Sequence, residues 1–331
     1  MTSPPGAHPL TPGKVRGLTA TSTAGGIFTI LAVDHRDAMR VALDTDHPQR
    51  VPPSTLTSLK LELVGELAAA ATAVLLDPEY SAAQAIVTRA LPGHVGFIAA
   101  VEAQGYLGDP DARQTSLLDG WSVEKAKRLG AAGIKLLVLY RPDSPAADTQ
   151  DAMISAVVAE CARHDIPLFL EPLAHALDPA APARHAELVA GRRGIVVETV
   201  RRLGALRPDV LKVQFPVDTT HQPDQAVWAD ACAELDDVAA VPWALLSGGD
   251  PYQQFRHQVR IACAAGASGF MVGRALWGDY LTAPPASRRR LMDEVVRPRF
   301  AELAAIAAEH GRDWATRYTL PGADERWYLT Y

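Results

Sequence analysis

The sequence predicts an α/β protein folded as a single eight-stranded parallel (β/α)8 barrel with extra segments at both ends. Three observations predict it. Short, continuously apolar, β-branched runs alternate with longer stretches of helical periodicity, the pattern of strands buried on both faces. About eight such pairs occur, which fits a closed ring better than an open sheet. The length of 331 residues suits one barrel of roughly 250 residues plus extensions.

Taken in order, the apolar runs are Phe28 to Val33, Ala73 to Leu76, Val95 to Val101, Ile134 to Leu139, Pro167 to Leu170, Val210 to Phe215, Trp243 to Leu246 and Gly269 to Val272. Between the first two lies Leu56 to Ala71, with Leu59, Leu63 and Leu67 on one face and Lys60, Glu62 and Glu66 off it. Ser122 ahead of Val123-Glu124-Lys125 reads as a helix N-cap, and Gly130 and Gly133 mark the passage to the fourth strand. Residues 1–26, rich in Pro, Gly, Ser and Thr, read as a lead that is partly disordered or caps the barrel bottom; residues 27–331 form the barrel with a helical extension. Asp143 to Asp148 and Ala176 to Ala183 read as loops above strands four and five. Ser287 to His310 is charged and helical, suited to complete the barrel or to pack on another subunit. No second domain is expected.

Composition narrows the function. Apolar residues make up 48% and charged ones 21%, with a net charge of −6 and a pI near 5.9. Such a chain has no positive field to gather nucleic acid. Three scattered cysteines, Cys161, Cys232 and Cys263, make neither a disulfide framework nor a zinc pattern. The first residues lack a basic stretch followed by an apolar core, and no apolar run reaches membrane-spanning length. A cytoplasmic setting without membrane contact is the expectation, with self-association into a homo-oligomer as for many barrels.

Barrel enzymes build their sites at the C-terminal strand ends. There this chain places Asp34, Arg36, Asp77, Glu79, Glu102, Glu171, Ser247 and Arg274. Two lysines, Lys135 and Lys212, stand inside strands, where burial costs several kcal/mol unless the charge is matched or lost. Alternation puts Val210, Lys212 and Gln214 on one face and Leu211, Val213 and Phe215 on the other. The second set is apolar and suits the helix layer, so Lys212 points inward. Desolvation beside a second cation favours an uncharged amine, and an uncharged amine attacks a ketone to give an iminium. Glu171, on the neighbouring strand, suits the base that such chemistry needs. A structural ion pair of Lys212 with Glu171 or Asp34 explains the strand context equally well, and Lys135 is a rival nucleophile whose simpler role is to partner a phosphate or carboxylate. Asp34 is expected to pair with an inward lysine.

Ser247-Gly248-Gly249 after strand seven and Gly273-Arg274 after strand eight form the second feature. Glycine amides and a forked arginine at these two positions suit a phosphate. His35, His175 and His221 make no metal-ligand pattern with the carboxylates, so no metal and no cofactor is expected. Trp277, beside Arg274, is placed to line the mouth, but a helix-face aromatic is more often a packing residue.

The segments Ala32-Val-Asp34-His-Arg36, Leu75-Leu-Asp77-Pro-Glu79-Tyr80, Glu102-Ala-Gln-Gly-Tyr106, Ile134-Lys135-Leu-Leu, Phe169-Leu-Glu171-Pro, Val210-Leu-Lys212-Val-Gln-Phe-Pro216, Leu246-Ser247-Gly-Gly249 and Gly273-Arg274-Ala-Leu-Trp277 together resemble the class I tagatose 1,6-bisphosphate aldolase family, which includes the sulfofructose phosphate aldolases. The resemblance implies a metal-independent aldolase. It would cleave a ketose phosphate, of the tagatose 1,6-bisphosphate or 6-deoxy-6-sulfofructose 1-phosphate kind, to dihydroxyacetone phosphate and a three-carbon aldehyde. It implies Lys212 as the Schiff-base residue, Glu171 as acid/base, and Asp34 and Lys135 as further catalytic positions. Arg36, Gln214, Ser247, Gly248, Gly249, Gly273 and Arg274 then serve as substrate contacts. Gln214 stands where many relatives carry Glu, and Asp250, a departure from the usual strand-seven loop, is expected to add negative charge near the phosphate site; both bear on substrate rather than on reaction class. Other readings are a Schiff-base lyase or transaldolase for another sugar phosphate, and a non-catalytic barrel that binds a sugar phosphate and acts through a protein partner.

Overall fold

A computed structural model describes residues 8–175, 182–329 and 331. Eight parallel strands close into a barrel: β1 (Phe28–Ala32), β2 (Ala73–Leu76), β3 (Gly96–Ala100), β4 (Gly133–Leu139), β5 (Leu168–Leu173), β6 (Val210–Val213), β7 (Trp243–Leu246) and β8 (Gly269–Val272). The ring shuts where β1 pairs with β8. All eight apolar runs of the sequence are strands, because a strand covered on both sides needs apolar residues at every position.

Alternation divides the strands between two cores. Phe28, Ile30, Ala73, Leu75, Ile98, Phe169, Val210, Ala244 and Met271 fill the barrel interior. Leu31, Val74, Ile134, Leu136, Leu211, Val213 and Leu245 meet the surrounding helices. Ser122 Oγ accepts a hydrogen bond from the Lys125 amide at 3.2 Å, capping the helix Val123–Leu129, which ends on Gly130 at φ 100°. Gly133 opens β4 because a Cβ there would meet the Phe169 ring at 2.7 Å.

The helix Pro12–Ala20 lies under the barrel at the N-terminal ends of the strands: Gly17 packs against the Ala132 carbonyl and Pro167, and Lys14 pairs with Asp209 at 2.9 Å. A two-residue strand, His8–Pro9, pairs with Tyr318–Thr319 on the same side. After β8 the helix Arg274–Thr282 leads into Pro285–Leu291, a π-helical turn Met292–Val296 and the helix Arg297–His310. This last helix packs against the helix Tyr252–Ala265 and against β8, where Phe300 meets Phe270 edge to face at 6.0 Å. The loop expected at Asp143 to Asp148 gives way to helix at Ala147. Most of the loop expected at Ala176 to Ala183 lies outside the described residues, as do residues 1–7 of the lead. Among the described residues no helix is long and apolar enough to cross a membrane.

Candidate active site

Strand register brings the charged residues together. Phe169 pairs with Val210, so two steps further along Glu171 and Lys212 come level. Ala100 pairs with Lys135, so Glu102 comes level with Leu137 and accepts its amide hydrogen bond at 3.1 Å. Lys135 Nζ then sits among three carboxylates: Glu102 Oε1 at 2.6 Å, Asp34 Oδ2 at 2.8 Å and Glu171 Oε2 at 3.0 Å. Lys212 Nζ reaches the same Glu171 Oε2 at 2.8 Å. One carboxylate oxygen therefore bridges two ammonium groups. All five side chains are buried.

These contacts fix the protonation states. Burial alone would raise the Asp34 carboxyl, but Lys135, then Lys212 and His35, hold it well below the usual carboxylate range. Burial likewise opposes ionisation of Glu171, yet Lys135 and Lys212 keep it below its ordinary value. For Lys135 burial disfavours the charge, and Asp34, Glu102 and Glu171 reverse that, raising the amine well above its ordinary value. His35 is pushed down to about 4, chiefly by burial, with Asp34 opposing and Arg274 and Lys212 adding to the shift.

The cluster floors a cavity of about 330 Å³ at the C-terminal mouth. Every residue the sequence singled out for catalysis or substrate contact lines it: Asp34, Arg36, Lys135, Glu171, Lys212, Gln214, Ser247, Gly248, Gly249, Gly273 and Arg274. Gly248 and Gly249 have φ of 58° and 96°, a backbone that side-chain-bearing residues rarely adopt. Arg274 folds over this turn and donates to the Gly248 carbonyl at 3.1 Å, while Ser247 Oγ accepts from the Gly273 amide at 3.3 Å. Arg36 donates to Glu79 at 2.7 Å and to the Glu102 carbonyl at 2.9 Å. Gln214 Oε1 accepts from the Ala174 amide at 2.7 Å, which ties the loop after β5 to β6.

Three details differ from the sequence reading. Glu102, read only as a strand-end charge, is the nearest partner of Lys135. Its alignment with the family motif was the available signal. Lys60, read as lying off the apolar face, is wholly buried and pairs with Asp77 behind β2. Asp250 does not face the cavity; its carboxylate accepts from Gln258 at 2.8 Å. Trp277 packs, as expected of a helix-face aromatic: it is buried, donates to the Ala32 carbonyl at 3.0 Å and carries the ring of His35 edge to face at 5.1 Å. Among the described residues no three His, Cys, Asp or Glu side chains converge as metal ligands would.

A buried cluster of amines and carboxylates at the catalytic mouth of a closed eight-stranded barrel is the arrangement of a (β/α)8 enzyme. Residues 28–279 match the DeoC/LacD family aldolase, and the chain belongs to that family. The tagatose 1,6-diphosphate aldolase of Streptococcus agalactiae serotype V is 28% identical over 327 residues, covering 93% of this chain and 99% of its own. The tagatose 1,6-diphosphate aldolase of Lactococcus lactis subsp. lactis is 30% identical over 283 residues, covering 81% and 86%. Among solved structures, an archaeal fructose 1,6-bisphosphate aldolase shares the fold with a TM-score of 0.58 at 20% identity, covering 88% of this chain and 98% of its own. The protein is thus a lyase of the aldolase type, and the non-catalytic barrel reading falls away.

Proposed function

We propose that the protein is a Schiff-base aldolase of class I, with Lys212 as nucleophile and Glu171 as acid/base, acting on a ketose 1-phosphate. The observation that carries the reading is the unequal treatment of the two inward lysines. Both border the cavity, but Lys135 is locked in its charged form by three carboxylates, whereas Lys212 meets Glu171 alone. A permanently protonated amine cannot attack a carbonyl.

Glu171, ionised at neutral pH, takes a proton from Lys212, and the freed amine adds to the C2 ketone. The carbonyl oxygen leaves as water with a proton returned by Glu171, giving the iminium. Glu171 then accepts the C4 hydroxyl proton; the C3–C4 bond breaks, its electrons pass to the iminium as an enamine, and the aldehyde departs. Protonation of the enamine at C3 and hydrolysis release dihydroxyacetone phosphate and regenerate Lys212. Lys135 holds Glu171 anionic, Asp34 pairs with Lys135, and the two orient hydroxyls. Gly248, Gly249, Gly273, Ser247 and Arg274 suit the C1 phosphate, through backbone amides and a forked cation. Ketoses of the tagatose 1,6-bisphosphate and 6-deoxy-6-sulfofructose 1-phosphate kinds share the C1 to C4 half that this chemistry needs, and the aldehyde released has three carbons. The reading places the enzyme in the cytoplasm with a small sugar phosphate as its ligand, and three buried free cysteines accord with a reducing setting.

Borohydride reduction in the presence of dihydroxyacetone phosphate, followed by peptide mass spectrometry, tests the mechanism. The expected result is one adduct, on Lys212, and loss of cleavage in Lys212→Ala. An active Lys212→Ala, or an adduct on Lys135, would falsify it.

A further inference from the structure

A second concavity lies at the other end of the barrel from the catalytic mouth, where β3 and β4 begin. Its volume of about 720 Å³ is within the range of small-molecule sites. Three elements wall it: the bottom helix Pro12–Ala20, the loop between the helix Ala82–Val87 and β3, and the end of the helix Val123–Leu129. Between them lie small and apolar residues, Gly17, Gly96, Ala132, Leu91, Phe97 and Leu129.

Each of the three elements contributes one permanent cation: Arg16 from the bottom helix, Arg89 from the loop and Lys127 from the last turn of the third. His94 joins them, and all four side chains are exposed. Among the described residues no aspartate or glutamate lines the groove, and none of the three cations pairs with a carboxylate. Lys127 Nζ donates to the backbone carbonyl of Asp165 at 3.0 Å. The Asp165 carboxylate itself is taken up by Thr11 and, at 2.9 Å, by the Gly13 amide. Elsewhere the chain matches its cations. On the same bottom helix Lys14 meets Asp209 at 2.9 Å, and around the barrel Arg193, Arg202, Arg297 and Arg317 each meet a carboxylate. Residues 1–7, which precede the bottom helix, contain no acidic side chain to supply the missing charge. In a protein of net charge −6, like charges gathered without a counter-charge around one concavity make a local positive potential that a bound anion relieves.

We infer that this groove is a second ligand site, and that it takes a small molecule carrying adjacent phosphate groups. Arg16 and Arg89 present forked donors that match phosphate oxygens in pairs, and Lys127 adds a point charge. Leu91 and Leu129 offer an apolar surface to whatever body the phosphates are attached to. The packed interior of Phe28, Ile30, Leu75, Ile98 and Phe169 fills the barrel between the groove and Lys212. A molecule held here does not reach the reacting centre, so the site binds and does not turn over, and it stands whether or not the Schiff-base reading holds.

Isothermal titration calorimetry with inorganic pyrophosphate and, separately, ATP, both without magnesium, tests it. The titrations use Arg274→Ala, which removes the unpaired cation of the catalytic mouth, and one molecule per chain is expected to bind. Adding Arg16→Ala and Arg89→Ala is expected to weaken binding at least about tenfold, the worth of one charge-assisted hydrogen bond. Gly93 on the groove wall tests charge alone. A Cβ there meets nothing within 4 Å, so both Gly93→Glu and Gly93→Lys fit; glutamate should weaken binding and lysine should not. Thermal unfolding of each variant checks that the fold is kept. ATP bound more tightly than pyrophosphate adds the apolar surface to the site, and equal affinities assign recognition to the phosphates; either supports the inference. It is overturned by the absence of binding of both probes up to about 5 mM, by binding that the Arg16 and Arg89 substitutions leave unchanged, or by equal effects of glutamate and lysine at Gly93.

Discussion

Asp77→Asn removes one charge from a pair that has no access to water. Lys60 on the helix Pro53–Leu67 and Asp77 at the end of β2 are in direct contact, and both side chains are 0% exposed. Burial pulls the Lys60 amine below its ordinary value, with Asp77 opposing that shift. Asparagine keeps the size of the side chain and its acceptor for the Tyr80 amide, 2.7 Å away in the parent, but leaves Lys60 either unmatched or forced to give up its proton. Breaking one partner of a buried pair costs about 3–5 kcal/mol. An unfolding entropy of about 2.1 cal/mol/K per residue amounts to ~0.7 kcal/mol/K over this chain, so the midpoint should fall by roughly 4–7 °C. The double variant Lys60→Met with Asp77→Asn removes both charges and should recover most of that loss, since apolar replacements of buried pairs are often neutral. Thermal and urea unfolding followed by circular dichroism measure both. A midpoint within about 1 °C of the parent for Asp77→Asn, or a double variant as destabilised as the two singles added, refutes the reasoning.

Two further outcomes concern the site. Lys135→Met should lower kcat/KM by about 10²–10⁴-fold while the protein remains able to bind phosphate at the β7–β8 loops. Because Lys135 is the foremost charge holding Glu171 below its ordinary value, its loss raises the Glu171 pKa, so the acid limb of the kcat/KM profile should move to higher pH; a limb that stays in place counts against the role given to Lys135. His35 titrates near 4 in the fold against 6.5 for the free side chain, so the unfolded chain takes up its proton first. Stability from this group is present above pH 6.5 and is lost as pH falls towards 4, and His35→Asn should flatten that part of the stability profile measured by urea unfolding.

The strands were legible because each is buried on both faces and so reads as an unbroken apolar run ended by a charge. Inward lysines were legible for the converse reason: Lys135 and Lys212 interrupt such runs at positions that strand alternation assigns to the interior. What spacing could not decide was which carboxylate meets which lysine, since that depends on the stagger between neighbouring strands. Glu102 was seen as a strand end and not as a partner of Lys135 on the next strand. Lys60 failed for a related reason. Its partner Asp77 is brought up by the docking of a helix on β2, and a helical wheel carries no information about the surface it packs against. Asp250 was misjudged because the turn at Gly248 and Gly249 swings the chain away from the mouth towards Gln258.

The bridge of Lys135 to Asp34, Glu102 and Glu171, and of Glu171 to Lys212, ties together the ends of β1, β3, β4, β5 and β6. For a laboratory seeking to retarget the enzyme, this divides the mouth into two territories. Substitutions among those five strand ends alter the chemistry and the charge balance of the bridge together. The side chains of Leu137, Leu139 and Leu173 on β4 and β5 line the cavity and take no part in the bridge, so acceptor scope can be rewritten there with the charged cluster left as it stands.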